Sequence, residues 1–232
     1  MDNQKAPIAI ALDLESFEEI ERIARLVSPY ARILKVGMQT YFRDGQKAID
    51  LVRELDCELF LDLKLHDIPN TVKGACKSLA PIAPDYLTVH AAGGKAMLEA
   101  AVEALPQTKI TAVTALTSLT NEDIASWGQI SIESFSSALA ECASMVGVGA
   151  IVCSGFEVKK IRTIVGGSLQ TIVPGIRQSD SASDDQKRTM TLTDAMLAGA
   201  DVVVIGRPIT HHRDPAIAAA AFSDEFRLLN AK

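Results

Sequence analysis

Residues 58–72 read ELFLDLKLHDIPNTV. The first half is a buried β-strand in pattern, Leu59, Phe60, Leu61, Leu63 and Leu65 interrupted only by Asp62 and Lys64. Side chains two apart on a strand share a face, so Asp62 and Lys64 point one way while Leu61, Leu63 and Leu65 point the other. If the leucines face a helix layer, both charges face the inside of the sheet. A structural salt bridge would satisfy them, but buried pairs rarely stabilise a fold more than apolar replacements do. Beyond Leu65 the chain adds His66 and Asp67 and turns through Ile68 and Pro69 into a helix.

Outward from this stretch, short apolar runs alternate with longer segments of helical period along the whole chain. The runs predict strands at 7–13, 32–37, 59–64, 86–91, 109–116, 149–154, 169–175 and 201–207. The longer segments predict helices at 16–27, 45–55, 69–80, 94–105, 133–147, 156–165, 191–199 and 214–228. Repeated β-α-β connection implies a parallel sheet, and eight units close naturally into an α/β fold, the (β/α)8 TIM barrel. An open doubly wound sheet is the second reading. No low-complexity linker divides the chain, so residues 1–232 are expected to form a single barrel domain. The polar segment RQSDSASDDQKRT, 177–189, carries only one small apolar residue, Ala182. A loop of that kind is either a lid or disordered, and its position between strands seven and eight favours a lid.

The composition agrees with such a fold. The 232 residues are 48% apolar and 22% charged, enough to bury a large core. A net charge of -6 argues against a nucleic-acid or anionic-membrane partner. The four cysteines, Cys57, Cys76, Cys142 and Cys153, have no CxxC spacing and lie in apolar segments, which predicts reduced core residues and a cytoplasmic protein. The N-terminal segment has no basic region, and no apolar run approaches the ~18 residues of a membrane span.

In a parallel barrel the C-terminal strand ends converge on one mouth, where catalytic side chains gather. Here these ends carry Asp13, Lys35 with Gly37, Asp62 with Lys64, His90, Thr117, Ser154, Gly175 with Arg177, and Gly206 with Arg207. Singly, most have ordinary readings. Asp13 serves equally well as a helix cap, Lys35 as a snorkelling lysine, and His90 as a hydrogen-bonded core histidine. Arg207 reads as a phosphate or carboxylate clamp with Gly206, because loops after strands seven and eight are the usual phosphate site of this fold; otherwise it is a surface arginine after a tight turn. Gln186 could close on the same anion, or be one more solvated loop residue. His211 and His212 have no partner at metal-ligand spacing, the acidic residues of the polar loop lack the glycine and glutamate of a calcium loop, and neither GxGxxG nor GxxxxGK[ST] occurs. No metal or dinucleotide is therefore expected.

Taken in order, ALD at 11–13, LKVG at 34–37, FLDLKLHDIPNTV at 60–72, VHAAGG at 89–94, ALTSLT at 115–120, VPGIR at 173–177 and VIGRPIT at 204–210 resemble the orotidine 5'-phosphate decarboxylase family. Leu65 stands where related chains often carry Phe. The resemblance implies cofactor-free conversion of orotidine 5'-phosphate to UMP and CO2, the last step of de novo pyrimidine nucleotide synthesis, by a homodimer with shared active sites. It makes Lys64 the proton donor to C6, places Asp62 beside the departing carboxylate and Lys35 between it and the ribose, and brings Asp67 from the partner chain. It assigns ribose contacts to Asp13 and the partner's Thr71. Thr117 or Ser118 would lie by the base, and Ile68 and Pro174 would be further substrate contacts. The phosphate end would meet Arg177, Gln186, Gly206 and Arg207. Two rivals share parts of this pattern. A keto-gulonate phosphate decarboxylase or hexulose phosphate synthase also carries D-x-K-x-x-D, but holds magnesium partly with an acidic residue where this chain has Lys35. A non-catalytic nucleotide-sensing barrel would keep Arg207 and the glycines without needing Asp62 and Lys64.

Overall fold

The computed structural model describes residues 5–126, 128, 130–177 and 190–230. Eight strands form a closed barrel, each parallel to its neighbours and in chain order. They are β1 Ala6–Ala11, β2 Ala31–Gly37, β3 Glu58–Leu65, β4 Tyr86–His90, β5 Lys109–Val113, β6 Ala150–Val152, β7 Gln170–Pro174 and β8 Val202–Ile205. The helices are α1 Phe17–Val27, α2 Met38–Glu54, α3 Pro69–Leu79, α4 Lys95–Ala104, α5 Asn121–Ala125, α6 Ile132–Met145, α7 Val158–Val165, α8 Leu192–Leu197, α9 Arg207–Thr210 and α10 Pro215–Asn230. The closed ring settles the fold as a (β/α)8 TIM barrel and excludes the open doubly wound sheet. Among the described residues no helix is long and apolar enough to cross a membrane.

Strand alternation divides the apolar residues into two layers. Leu34, Val36, Leu59, Leu61 and Leu63 join the larger core between sheet and helices. Ile33, Phe60, Tyr86, Ile172 and Val202 fill the barrel's interior. Helix starts follow the local chemistry: Ser16, Ser131 and Thr191 each accept a backbone N–H from the residue three places on, and Thr120 with Asp123 forms a capping box. Cys57, Cys76 and Cys153 are buried, Cys142 is half-buried, and all four are free. Burial alone pushes the Cys76 thiol up to about 11.

The structure differs from the sequence expectation mainly at element ends. The second helix starts at Met38 rather than 45, because a kink at Asp44 joins two helical pieces that periodicity separates. Strand five stops at Val113, and two helices too short to show a period, α5 and α9, were not anticipated. Strand eight ends at Ile205, so Arg207 opens α9 instead of finishing a strand. The 177–189 loop, apart from Arg177, lies outside the described residues. Its flanks lie together: Arg177 N–H donates to Met190 O at 3.0 Å and Met190 N–H to Gly175 O at 3.3 Å.

Candidate active site

The C-terminal mouth of the barrel opens into a cavity of about 510 Å³ lined by residues from most of the strand ends. Of the strand-end residues, Asp13, Lys35, Asp62, Lys64, Thr117, Gly175, Arg177, Gly206 and Arg207 line it and Gly37, His90 and Ser154 do not; Pro174, named by the resemblance, lines it too. Lys35 and Asp62 come from one step above the apolar interior layer, two residues beyond Ile33 and Phe60 on the same faces of β2 and β3. That is why charges emerge from strands that are otherwise apolar.

The four charges at the head of the cavity form one chain of contacts. Lys35 Nζ donates to Asp13 Oδ2 at 2.8 Å and lies 3.2 Å from Asp62 Oδ2. Lys64 Nζ donates to the other Asp62 oxygen, Oδ1, at 2.7 Å. The Lys35 side chain is only 7% exposed. Burial opposes its charge, but the Asp62 and Asp13 carboxylates outweigh burial and hold the ammonium above the ordinary lysine value. Burial also works against the Asp62 carboxylate, and there the ammonium groups of Lys35 and then Lys64 prevail, bringing its pKa down to about 2. Gly37 makes room for this contact. A Cβ there would stand 2.1 Å from Asp13 Oδ1 and 3.0 Å from Lys35 Nζ, so any side chain would force the pair apart.

Lys64 adopts φ +50, the left-handed region, where a non-glycine residue costs of order 1–3 kcal/mol. Its N–H donates to Thr88 Oγ1 at 2.8 Å. Sequence reasoning missed this. The alternation of Asp62 and Lys64 reads as regular strand, whereas the register between β3 and β4 shifts between Leu61 and Leu65. Thr88, inside the apolar run of β4, carries no sequence signal of its own. Gln39, Thr210 and His211 also line the cavity without having been singled out for it.

Asp13, Lys35, Asp62 and Lys64 cancel in formal charge. Arg177 and Arg207 line the β7–β8 side of the same cavity. Val113, Ala115, Val152 and Val204 give the middle of the cavity an apolar wall. A ligand with an apolar body and an anionic end fits this distribution.

Four expected substrate-contact residues do not line this chain's cavity. Asp67, Ile68 and Thr71 are exposed at the β3–α3 turn, with Ile68 66% exposed. Ser118 is exposed and outside the lining, leaving Thr117 as the member of that pair at the cavity. Gln186 lies outside the described residues. His90 is half-buried, with its ring 5.3 Å from that of His66; burial, then the neighbouring His66 and Lys64, lower its pKa.

The orotidine 5'-phosphate decarboxylase / HUMPS family matches residues 6–222. The chain belongs to that family. An orotidine 5'-phosphate decarboxylase of Thermobifida fusca is 47% identical over 231 residues, covering 97% of this chain and 98% of the relative. One from an Anaeromyxobacter species, strain K, is 44% identical over 93% of this chain and 96% of its own. Among solved structures, the orotidine 5'-phosphate decarboxylase of Lactobacillus acidophilus superposes with a TM-score of 0.83 at 31% identity, over 96% of this chain and 99% of that one. Family membership therefore agrees with the resemblance carried by the motifs from ALD to VIGRPIT.

Proposed function

We propose that this protein decarboxylates orotidine 5'-phosphate to UMP and CO2 without a metal or organic cofactor, completing de novo pyrimidine nucleotide synthesis in the cytoplasm. The observation that carries the reading is the contact chain Asp13–Lys35–Asp62–Lys64 at the mouth of the barrel. In the reaction the C6–carboxylate bond breaks, CO2 departs, and the electron pair stays on C6. Lys64 provides fixed positive charge where that pair develops and then transfers an ammonium proton to C6. Asp62 sits where the departing carboxylate would lie, and Lys35 bridges it to Asp13, which takes the ribose hydroxyls. Arg177, Gly206 and Arg207 take the phosphate, Thr117 and Pro174 line the base and ribose region, and Gln186, outside the described residues, is assigned to the phosphate by the family resemblance alone.

One charge is insufficient. A unit pair at ~4 Å is worth about 4 kcal/mol at an effective dielectric near 20, against the roughly 8 to 23 kcal/mol by which enzymes lower barriers. Binding energy at the remote phosphate, used to hold the reacting carbon against the array, supplies the rest. We further propose a homodimer in which Asp67, Ile68 and Thr71 of one subunit complete the other's cavity; their exposure at the β3–α3 turn supports this.

Lys35 also weighs against a magnesium-dependent lyase. Its ammonium already occupies the carboxylates of both Asp13 and Asp62, where a divalent cation would meet repulsion. The test is ultraviolet assay of orotidine 5'-phosphate consumption in excess EDTA. Full turnover with UMP as product is expected. No consumption, or strict dependence on added magnesium, would overturn the proposal. The shared site has its own test: equal mixing of inactive Lys64→Ala and Asp67→Ala dimers, after subunit exchange, should restore about a quarter of normal activity. Continued inactivity would place Asp67 in its own subunit's site or in none.

A further inference from the structure

Thr88 is fully buried on β4, beside the charged array and outside the cavity lining. Its hydroxyl closes a ring. Lys64 N–H donates to Thr88 Oγ1 at 2.8 Å, Thr88 Oγ1 donates to Asp62 Oδ1 at 3.0 Å, and Lys64 Nζ donates to the same Oδ1 at 2.7 Å. A hydroxyl has one proton to give and lone pairs to accept with, and here both functions are used. Leu61 pairs with Leu87 and Leu65 with Val89, so four steps along β3 correspond to two along β4. Lys64 lies within that excess, at φ +50. The hydroxyl thus holds both the strained backbone of Lys64 and the carboxylate that its ammonium group touches.

We propose that Thr88 is a positioning residue for the reaction, fixing where the Lys64 ammonium sits by holding its backbone in the left-handed conformation. The inference rests on the decarboxylase reading for its kinetic consequence, but its structural consequence stands independently. Removing the hydroxyl leaves the part-buried Lys64 N–H without its acceptor and frees Lys64 to relax toward ordinary strand geometry. The charge then no longer meets the reacting carbon, although the phosphate and ribose contacts are untouched.

The experiment compares Thr88→Val, which keeps the branched shape and loses the hydroxyl, with Thr88→Ser, which keeps the hydroxyl. For the valine variant kcat is expected to fall about 10- to 100-fold, with KM for orotidine 5'-phosphate and affinity for UMP within about threefold of wild type. The serine variant should keep kcat within about threefold. Crystal structures should show Lys64 leaving the left-handed region, or its Nζ leaving Asp62, in the valine variant only. Wild-type kcat in the valine variant, a loss confined to KM, or equal impairment by serine would overturn the proposal. So would an unmoved Lys64 in the valine crystal. If valine prevents folding, the serine variant decides alone, since a drop beyond about tenfold would show that retaining the hydroxyl is insufficient. A wild type that leaves orotidine 5'-phosphate unconsumed would refute the decarboxylase reading, and the crystallographic comparison would still decide the role of Thr88.

Discussion

Two levels of one barrel interior are made from the same strands and do opposite things. In the lower level Ile33, Phe60, Tyr86, Ile172 and Val202 pack against one another. Two residues further along, β2 presents Lys35, β3 presents Asp62 and β4 presents Thr88. The lower level gains by removing apolar surface from water. The upper level holds two lysines and two aspartates in mutual contact, and buried ion pairs as a class seldom stabilise a fold more than apolar side chains do. A two-residue step along a strand therefore separates the part that keeps the barrel folded from the part that meets the ligand.

Substitutions in the two levels should have different consequences. The largest effect is expected from Lys64→Ala: turnover should drop by at least about 10³-fold, since the variant loses both the charge at C6 and the proton, while UMP still binds. Calorimetric titration with UMP beside the kinetic assay checks both halves, and retained turnover would move the chemistry elsewhere. In the level below, Ile172→Ala should cost about 2 to 5 kcal/mol in urea unfolding yet leave kcat of the folded fraction nearly unchanged. If activity fell as steeply as in the lysine variant, the two levels would not be separable.

The array also makes a measurable demand on pH. Asp62 remains ionised in the fold down to about 2, well below the ~4 of an unfolded aspartate. Its stabilisation is fully present above the unfolded value and is lost as pH falls toward the folded one. Between pH ~5 and ~2 the wild type should lose about 2 kcal/mol more stability than Asp62→Asn, measured by urea unfolding across that range. Parallel pH curves would mean that the carboxylate is not held by the lysines. A smaller effect is expected at the phosphate end, where Arg207→Ala should lower kcat about tenfold as well as raise KM. A change in KM alone would confine Arg207 to uniform binding.

Much of this organisation is legible in the chain itself. Alternation around Asp62 and Lys64 indicates which face is interior, and the recurrence of polar strand ends from Asp13 to Arg207 indicates a common mouth. What escapes is whatever depends on a second strand. Thr88 lies in an apolar run, and its importance arises from a register shift between β3 and β4 that neither strand shows alone. Gly37 reads as a strand end, but its reason is the approach of Asp13 and Lys35, which only folding brings together. Helix α9 is too short to have a period, so the apolar run through 201–207 reads as a strand ending at Arg207. Asp67, Ile68 and Thr71 are exposed on the single chain, so the proposed sharing of the site between subunits cannot be read from one chain's cavity.

The proposed reaction turns on proton exchange between Lys64 and C6 of the bound pyrimidine. By microscopic reversibility the same group must remove and return the C6 proton of UMP, so UMP incubated with the protein in deuterium oxide should lose its C6–H signal in the proton NMR spectrum. Exchange should be faster than in free UMP and abolished in Lys64→Ala. Exchange absent from the wild type, or unchanged in the alanine variant, would contradict it.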